Sequence, residues 1–233
     1  MSRIALDIET ISPGYSPHGS DFQNSDFFEL LAVGLGYDSG DGDEDEDESI
    51  VLFREDTSPE SELRLVERVC DWIEERATGT DTLITYNGND FDLIHLKGRA
   101  SRTADEIQDS RGSETVERIR RLDEMEHCDL MKDVEQSYGA RRSFEYVCRD
   151  HGIDIESVEW EDYDHGLDFD SWRRMEDIGK KVVINSDIAR VGETYLALAE
   201  EGGGERYAEI RKLLEDYTLS DVRPLFELAD NGL

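Results

Sequence analysis

A mixed α/β sheet flanked by helices is the fold class predicted by this 233-residue chain, and three observations carry the prediction. Three short apolar runs come first, at 3–8, 30–37 and 49–53, with no helical periodicity between them. A helix-periodic segment then precedes a fourth run at 82–86. Beyond it the pattern is mostly helical. A hairpin-connected start followed by a helix and another strand describes a three-stranded antiparallel unit continued by parallel strands.

The elements follow in order. Arg3-Ile-Ala-Leu-Asp-Ile8 reads as a first strand, and Pro13, Gly14 and Pro17 mark a long loop after it. Leu30–Tyr37 and Ser49–Phe53 are the second and third strands. The acidic run Asp41–Glu48 falls between them and reads as a solvated hairpin connection. Ser58 is the expected N-cap of a helix with Pro59 at its first position. Leu63, Val66, Val69, Cys70 and Ile73 recur at helical spacing through Arg76. Thr82–Tyr86 is a strand closed by Asn87-Gly88. Helical patterns cover 92–101, 113–125, 133–139 and 143–151, with a short segment at 126–130. Residues 154–180, acidic and rich in aromatics, are expected to be an insertion covering one side of a single domain spanning 1–233. Helices at 187–200 and 205–230, separated by three glycines, close the chain.

Composition bounds the function. The chain has 58 acidic and 25 basic residues, a formal net charge of −33, and only five of the basic residues are lysine. An acidic, lysine-poor surface on a folded chain matches proteins that work in concentrated salt, where counterions screen the self-repulsion. An acidic protein mimicking nucleic acid is an alternative, but a mimic would display its acids outward rather than beside apolar strands. No apolar stretch reaches membrane-spanning length and no secretory leader pattern is present, so a cytoplasmic protein is expected. Cys70, Cys128 and Cys148 match no zinc spacing and read as reduced packing residues.

With so many acids, the informative ones sit where a carboxylate is structurally expensive. Asp7 and Glu9 lie two apart at the end of an apolar strand and so project from one face. Asp92 follows Phe91 directly after the fourth strand. On the last helix Leu213, Leu214, Tyr217, Asp221 and Leu225 share a face, which turns Tyr217 and Asp221 inward. Four converging carboxylates cannot all stay ionised in a partly dry cleft without cations. An all-oxygen donor set favours hard divalent ions, and two Mg²⁺ or Mn²⁺ ions are the expected cofactors.

Asp7-x-Glu9, Asn87-x-x-x-Phe91-Asp92 and Tyr217-x-x-x-Asp221, in that order and spacing, resemble the three motifs of the DEDD exonucleases. The spelling is similar to the tyrosine branch, and most to the proofreading domain of family B DNA polymerases. Asp7-Ile-Glu-Thr10 and the serine-led segment Ser143-Phe-Glu-Tyr-Val-Cys148 add to the likeness. The resemblance implies a free-standing 3′–5′ exonuclease of ribonuclease H-like fold, acting on single-stranded ends, DNA favoured over RNA, and possible repair or replication partners. It implies Asp7 bridging both metals, Glu9 and Asp221 completing one site, Asp92 holding the second ion, and Tyr217 orienting the attacking water. It places Ile8, Thr10, Asn87 and Phe91 around the 3′-terminal nucleotide. Arg141 and Arg142 are candidate phosphate contacts, as are Arg99 and Arg102. A catalytically silent module of the same fold and an RNA-processing enzyme are the alternatives. Of four rival spellings of the third motif, Tyr37–Asp41 falls in a hairpin turn and Tyr86–Asp90 inside the second motif, which leaves Tyr146-x-x-x-Asp150 and, in the manner of the histidine branch, His165-x-x-x-x-Asp170. Tyr146–Asp150 precedes a long helical region and His165–Asp170 sits in loop-like sequence, so both are set aside for Tyr217 and Asp221.

Overall fold

The computed structural model describes residues 2–40, 48–77, 81–108 and 110–232. Most of the Asp41–Glu48 run lies outside the described residues. Five strands form one open sheet in the order β3-β2-β1-β4-β5: β1 (Arg3–Ile11), β2 (Glu29–Asp38), β3 (Glu48–Phe53), β4 (Thr82–Thr85) and β5 (Glu126–Asp129). β1, β2 and β3 pair antiparallel, while β4 pairs parallel with both β1 and β5. The fold is therefore α/β with a mixed sheet, as the sequence pattern predicts.

Helices α1 (Pro59–Arg76) and α2 (Asp92–Ile107) cover one face of the sheet; α3 (Ser110–Arg120) packs on both helices. Ile4, Leu6 and Ile8 alternate onto that face, beside Val33 and Leu35, and meet Val66, Val69 and Ile73 of α1 and Leu96 of α2. Ser58 caps α1 by accepting the Ser61 backbone amide, with Pro59 at the first position, as expected. Behind this core Glu62, fully buried, takes a bidentate pair of hydrogen bonds from Arg99 at 2.8 and 2.7 Å and the Leu30 amide at 2.8 Å.

On the other face lie α6 (Asn185–Glu200), α7 (Glu205–Val222) and α8 (Pro224–Asp230), with α4 (Leu130–Tyr138) and α5 (Phe144–Asp150) at the β5 side. On this face the β2 residues opposite β1 are small: Ala5 pairs with Gly36, Asp7 with Gly34 and Glu9 with Ala32. A Cβ at Gly34 would sit 2.6 Å from methyl carbons of both Thr218 and Val222. Glycine there is what lets α7 lie directly on the sheet, against the two carboxylates of β1.

The boundaries depart from the sequence reading in ways that affect the site. β1 runs to Ile11, three residues past the expected end, with a register shift between Glu9 and Thr10. Asp7 and Glu9 thus stand within a strand rather than at its end, and the irregularity begins just after them. Residues 126–130 contain a strand, β5, which the polar sequence Glu-His-Cys-Asp concealed. The helix expected over 205–230 is broken at Pro224, which has no amide to continue it and starts α8 instead. Residues 158–183 pack over α6 and α7. There Trp160 stacks on Phe169 at 4.5 Å, and fully buried Arg173 and Asp187 pair at 2.6 Å. Cys70 and Cys148 are buried free thiols pushed up to about 12 by burial, consistent with packing residues. Among the described residues no helix is long and apolar enough to cross a membrane.

Candidate functional site

β1 and α7 together assemble a carboxylate cluster. One oxygen each of Asp7, Glu9 and Asp221 lies within 4.8 Å of the others. Glu9 is buried, whereas Asp7 and Asp221 keep a partly open side. Asp92, at the start of α2, is only 3% exposed, and its charge acts on Asp7, although it lies outside that tight trio. Its Oδ2 is buried with no hydrogen-bond partner among the described residues. An orphaned, desolvated carboxylate oxygen facing like charges is the observation that best fits a cation-holding role.

Burial raises all four carboxyl groups well above the usual range. At Asp7 the Asp92 charge adds to desolvation; at Glu9, the charges of Asp7 and Asp221. At Asp221 the additions come from Asp7 and Glu145, and at Asp92 chiefly from Asp129. The Ile8 backbone amide works against the rise at both Asp7 and Asp92. Thr218 Oγ1 lies 3.4 Å from Glu9 Oε1 and 2.9 Å from the Leu214 carbonyl. Its single proton is shared between these two acceptors, and the longer contact works against the rise at Glu9. Tyr217, one turn before Asp221, is 8% exposed. Desolvation and the charges of Asp221, Glu9 and Asp7 raise its phenol far above its ordinary value, so it is a donor and not a base at neutral pH.

The loop after β4 is held by a residue the sequence reading missed. Asp129, ending β5, accepts the Asn87 amide at 2.8 Å, the Asn89 amide at 3.0 Å and Asn89 Nδ2 at 2.7 Å. It also caps α4 through the Met131 amide at 3.2 Å. These bonds hold Asn87 in the left-handed region at φ 77°. Its signal was present, an aspartate at the end of a short segment before a helix, but only recognition of β5 gives it meaning. Thr218 and Gly34 were likewise overlooked.

The predicted binding residues divide. Asn87 Oδ1 accepts from Arg141, which also pairs with Asp90 at 3.4 Å and Glu135 at 3.3 Å. Phe91 meets Phe28 edge-on at 5.5 Å and His95 at 4.4 Å. The Ile8 side chain belongs to the core, which leaves its backbone amide toward the carboxylates. Thr10 is half-buried at the register shift. Arg142 is exposed, and its carbonyl accepts from the Tyr86 hydroxyl at 2.8 Å. Arg99, expected to meet phosphate, is instead buried against Glu62, because the helix face carrying it turns into the core. Arg102 pairs with Asp26 and Glu106. Of the rival third motifs, Asp150 accepts the Tyr138 hydroxyl at 2.6 Å, and Asp170 takes the Gly179 amide at 3.0 Å. Neither joins the cluster around Asp7.

Compared with protein-family models and with curated proteins, the chain matches none. The reading of the site rests on its own geometry.

Proposed function

We propose that this protein is a metal-dependent 3′–5′ exonuclease that releases 5′-mononucleotides from single-stranded ends, DNA rather than RNA, on a ribonuclease H-like fold. The observation that carries the reading is the convergence of Asp7, Glu9 and Asp221 within 4.8 Å, with Asp92's orphaned oxygen and the Tyr217 phenol beside them. Sheet order and strand directions are compatible with that fold.

Asp7, Glu9 and Asp221 would hold one divalent ion, and Asp7 with Asp92 the other. Two Mg²⁺ or Mn²⁺ ions supply charge neutralisation at the phosphate, a more acidic water, and stabilisation of the leaving oxygen. The remaining contributions belong to the chain. Tyr217, kept protonated, donates a hydrogen bond that orients the attacking water or a phosphate oxygen. The Ile8 amide and Thr218 hold the carboxylates in place. Asn87 and Phe91 border the terminal nucleotide. Water adds to phosphorus, the bond from phosphorus to the preceding 3′ oxygen breaks, and that oxygen takes a proton.

A 5′-labelled oligonucleotide incubated with the protein, Mn²⁺ and molar KCl should shorten from its 3′ end in single steps. Asp7→Ala should abolish the ladder, and Tyr217→Phe should slow it about 10- to 100-fold without loss of folding. A ladder that persists in Asp7→Ala refutes the mechanism.

A further inference from the structure

Arginines in this chain are mostly matched to carboxylates, as a net charge of −33 leads one to expect. Arg142 and Arg149 are exceptions: among the described residues neither has a carboxylate within ion-pair distance in the structure. Both are exposed, and both place their guanidinium over the same ring, that of Tyr146, at 5.7 and 5.5 Å from its centroid. Tyr146 is itself 39% exposed, one of few large hydrophobic side chains left in solvent, and Tyr138 supports it edge-on at 6.1 Å. Asp150, at the end of the same helix, accepts the Tyr138 hydroxyl at 2.6 Å.

The patch adjoins the candidate site on two sides. The Arg142 carbonyl accepts from Tyr86, which follows β4, and neighbouring Arg141 donates to Asn87. Glu145, next to Tyr146 on α5, is near enough for its charge to act on Asp221 and Tyr217. A part-exposed tyrosine ring bordered by two guanidiniums that no carboxylate engages, on a surface otherwise acidic, is complementary to a base with its phosphates.

From this we infer that Tyr146, flanked by Arg142 and Arg149, is a stacking platform for the single strand upstream of its 3′ end, so that the strand leaves the carboxylates across α5. Tyr146 stacks one base, and the guanidiniums meet the phosphates on either side. The inference rests on the exonuclease reading for the identity of the ligand, but not on cleavage. In concentrated salt, where phosphate contacts weaken, stacking is the contribution that persists.

The test measures binding and cleavage separately. A 5′-fluoresceinated oligothymidylate with phosphorothioate linkages is titrated with the protein in Mn²⁺ and followed by anisotropy. Tyr146→Ala should weaken binding about 5- to 150-fold, and Tyr146→Trp should restore it and show tryptophan quenching on binding. Arg142→Gln and Arg149→Gln should each lower the slope of log affinity against log salt by about 0.7, while Tyr146→Ala leaves the slope unchanged. An affinity unaltered in Tyr146→Ala and Arg149→Gln overturns the platform, including the case in which this face serves a protein partner. Wild-type protein that binds through Tyr146 yet yields no ladder on ordinary DNA overturns the exonuclease reading and leaves the platform standing.

Discussion

Replacing Asp7 by asparagine should stabilise the metal-free protein and remove its response to divalent cations. The trio of oxygens lies within 4.8 Å, and at an effective dielectric constant near 20 each ionised pair at that distance costs about 3.5 kcal/mol. Three pairs would cost about 10 kcal/mol, comparable to the whole stability of a typical domain. The metal-free protein therefore takes up protons, consistent with the raised carboxyl groups of Asp7, Glu9 and Asp221. Asp7→Asn removes two of the three repulsions; because protonation already relieves part of them, a gain of about 2 kcal/mol is expected. For a chain of this size that is a rise in Tm of about 4–8 °C. In the wild type, Mn²⁺ at about a hundred times its Kd should add about 2.7 kcal/mol, or about 5–11 °C. Asp7→Asn should lose most of that increment, whereas the exposed control Glu176→Gln should keep it. The assay is thermal unfolding in EDTA and in Mn²⁺ at constant molar KCl, which holds general screening fixed. A lower Tm for Asp7→Asn in EDTA, or an equal Mn²⁺ shift in both proteins, refutes the reasoning.

Further outcomes follow from the same geometry. Because these carboxyls are raised on folding, their contribution is fullest below the unfolded carboxylate range and is lost as pH climbs through the raised values. The Tm of metal-free wild type, relative to Asp7→Asn, should therefore fall as pH rises from acidic to neutral, and excess Mn²⁺ should flatten that dependence. Gly34→Ala drives a methyl into Thr218 and Val222; a loss of about 1–3 kcal/mol in denaturant unfolding and a weaker Mn²⁺ shift are expected as α7 is pushed off the sheet. Glu62→Gln leaves buried Arg99 without its counter-charge, while Arg54 keeps Glu29, so a loss of about 3–5 kcal/mol should appear in the same assay. Asp129→Ala frees the Asn87 and Asn89 amides, and faster hydrogen exchange confined to the loop after β4 would report it.

The sequence alone determined much of the framework, because apolar alternation and helical spacing are local signals. Ser58-Pro59 set the start of α1, and the antiparallel trio was legible from three apolar runs before any helix. The carboxylates of the cluster were also legible, since an acid inside an apolar run is costly wherever the chain folds. Other features depend on partners distant in sequence, and only the tertiary structure decided them. Arg99 and Arg141 read alike as free cations, yet Glu62 buries one and Asn87 holds the other at the rim of the site. Asp129 was one acid among 58 until β5 placed it against the loop after β4. Tyr146-x-x-x-Asp150 and Tyr217-x-x-x-Asp221 have identical spelling; the difference is that Gly34 admits α7 to the sheet, bringing Asp221 to Asp7 and leaving Tyr146 in solvent. Periodicity fixes which side of an element is apolar, but which charge meets which is settled only when the elements pack.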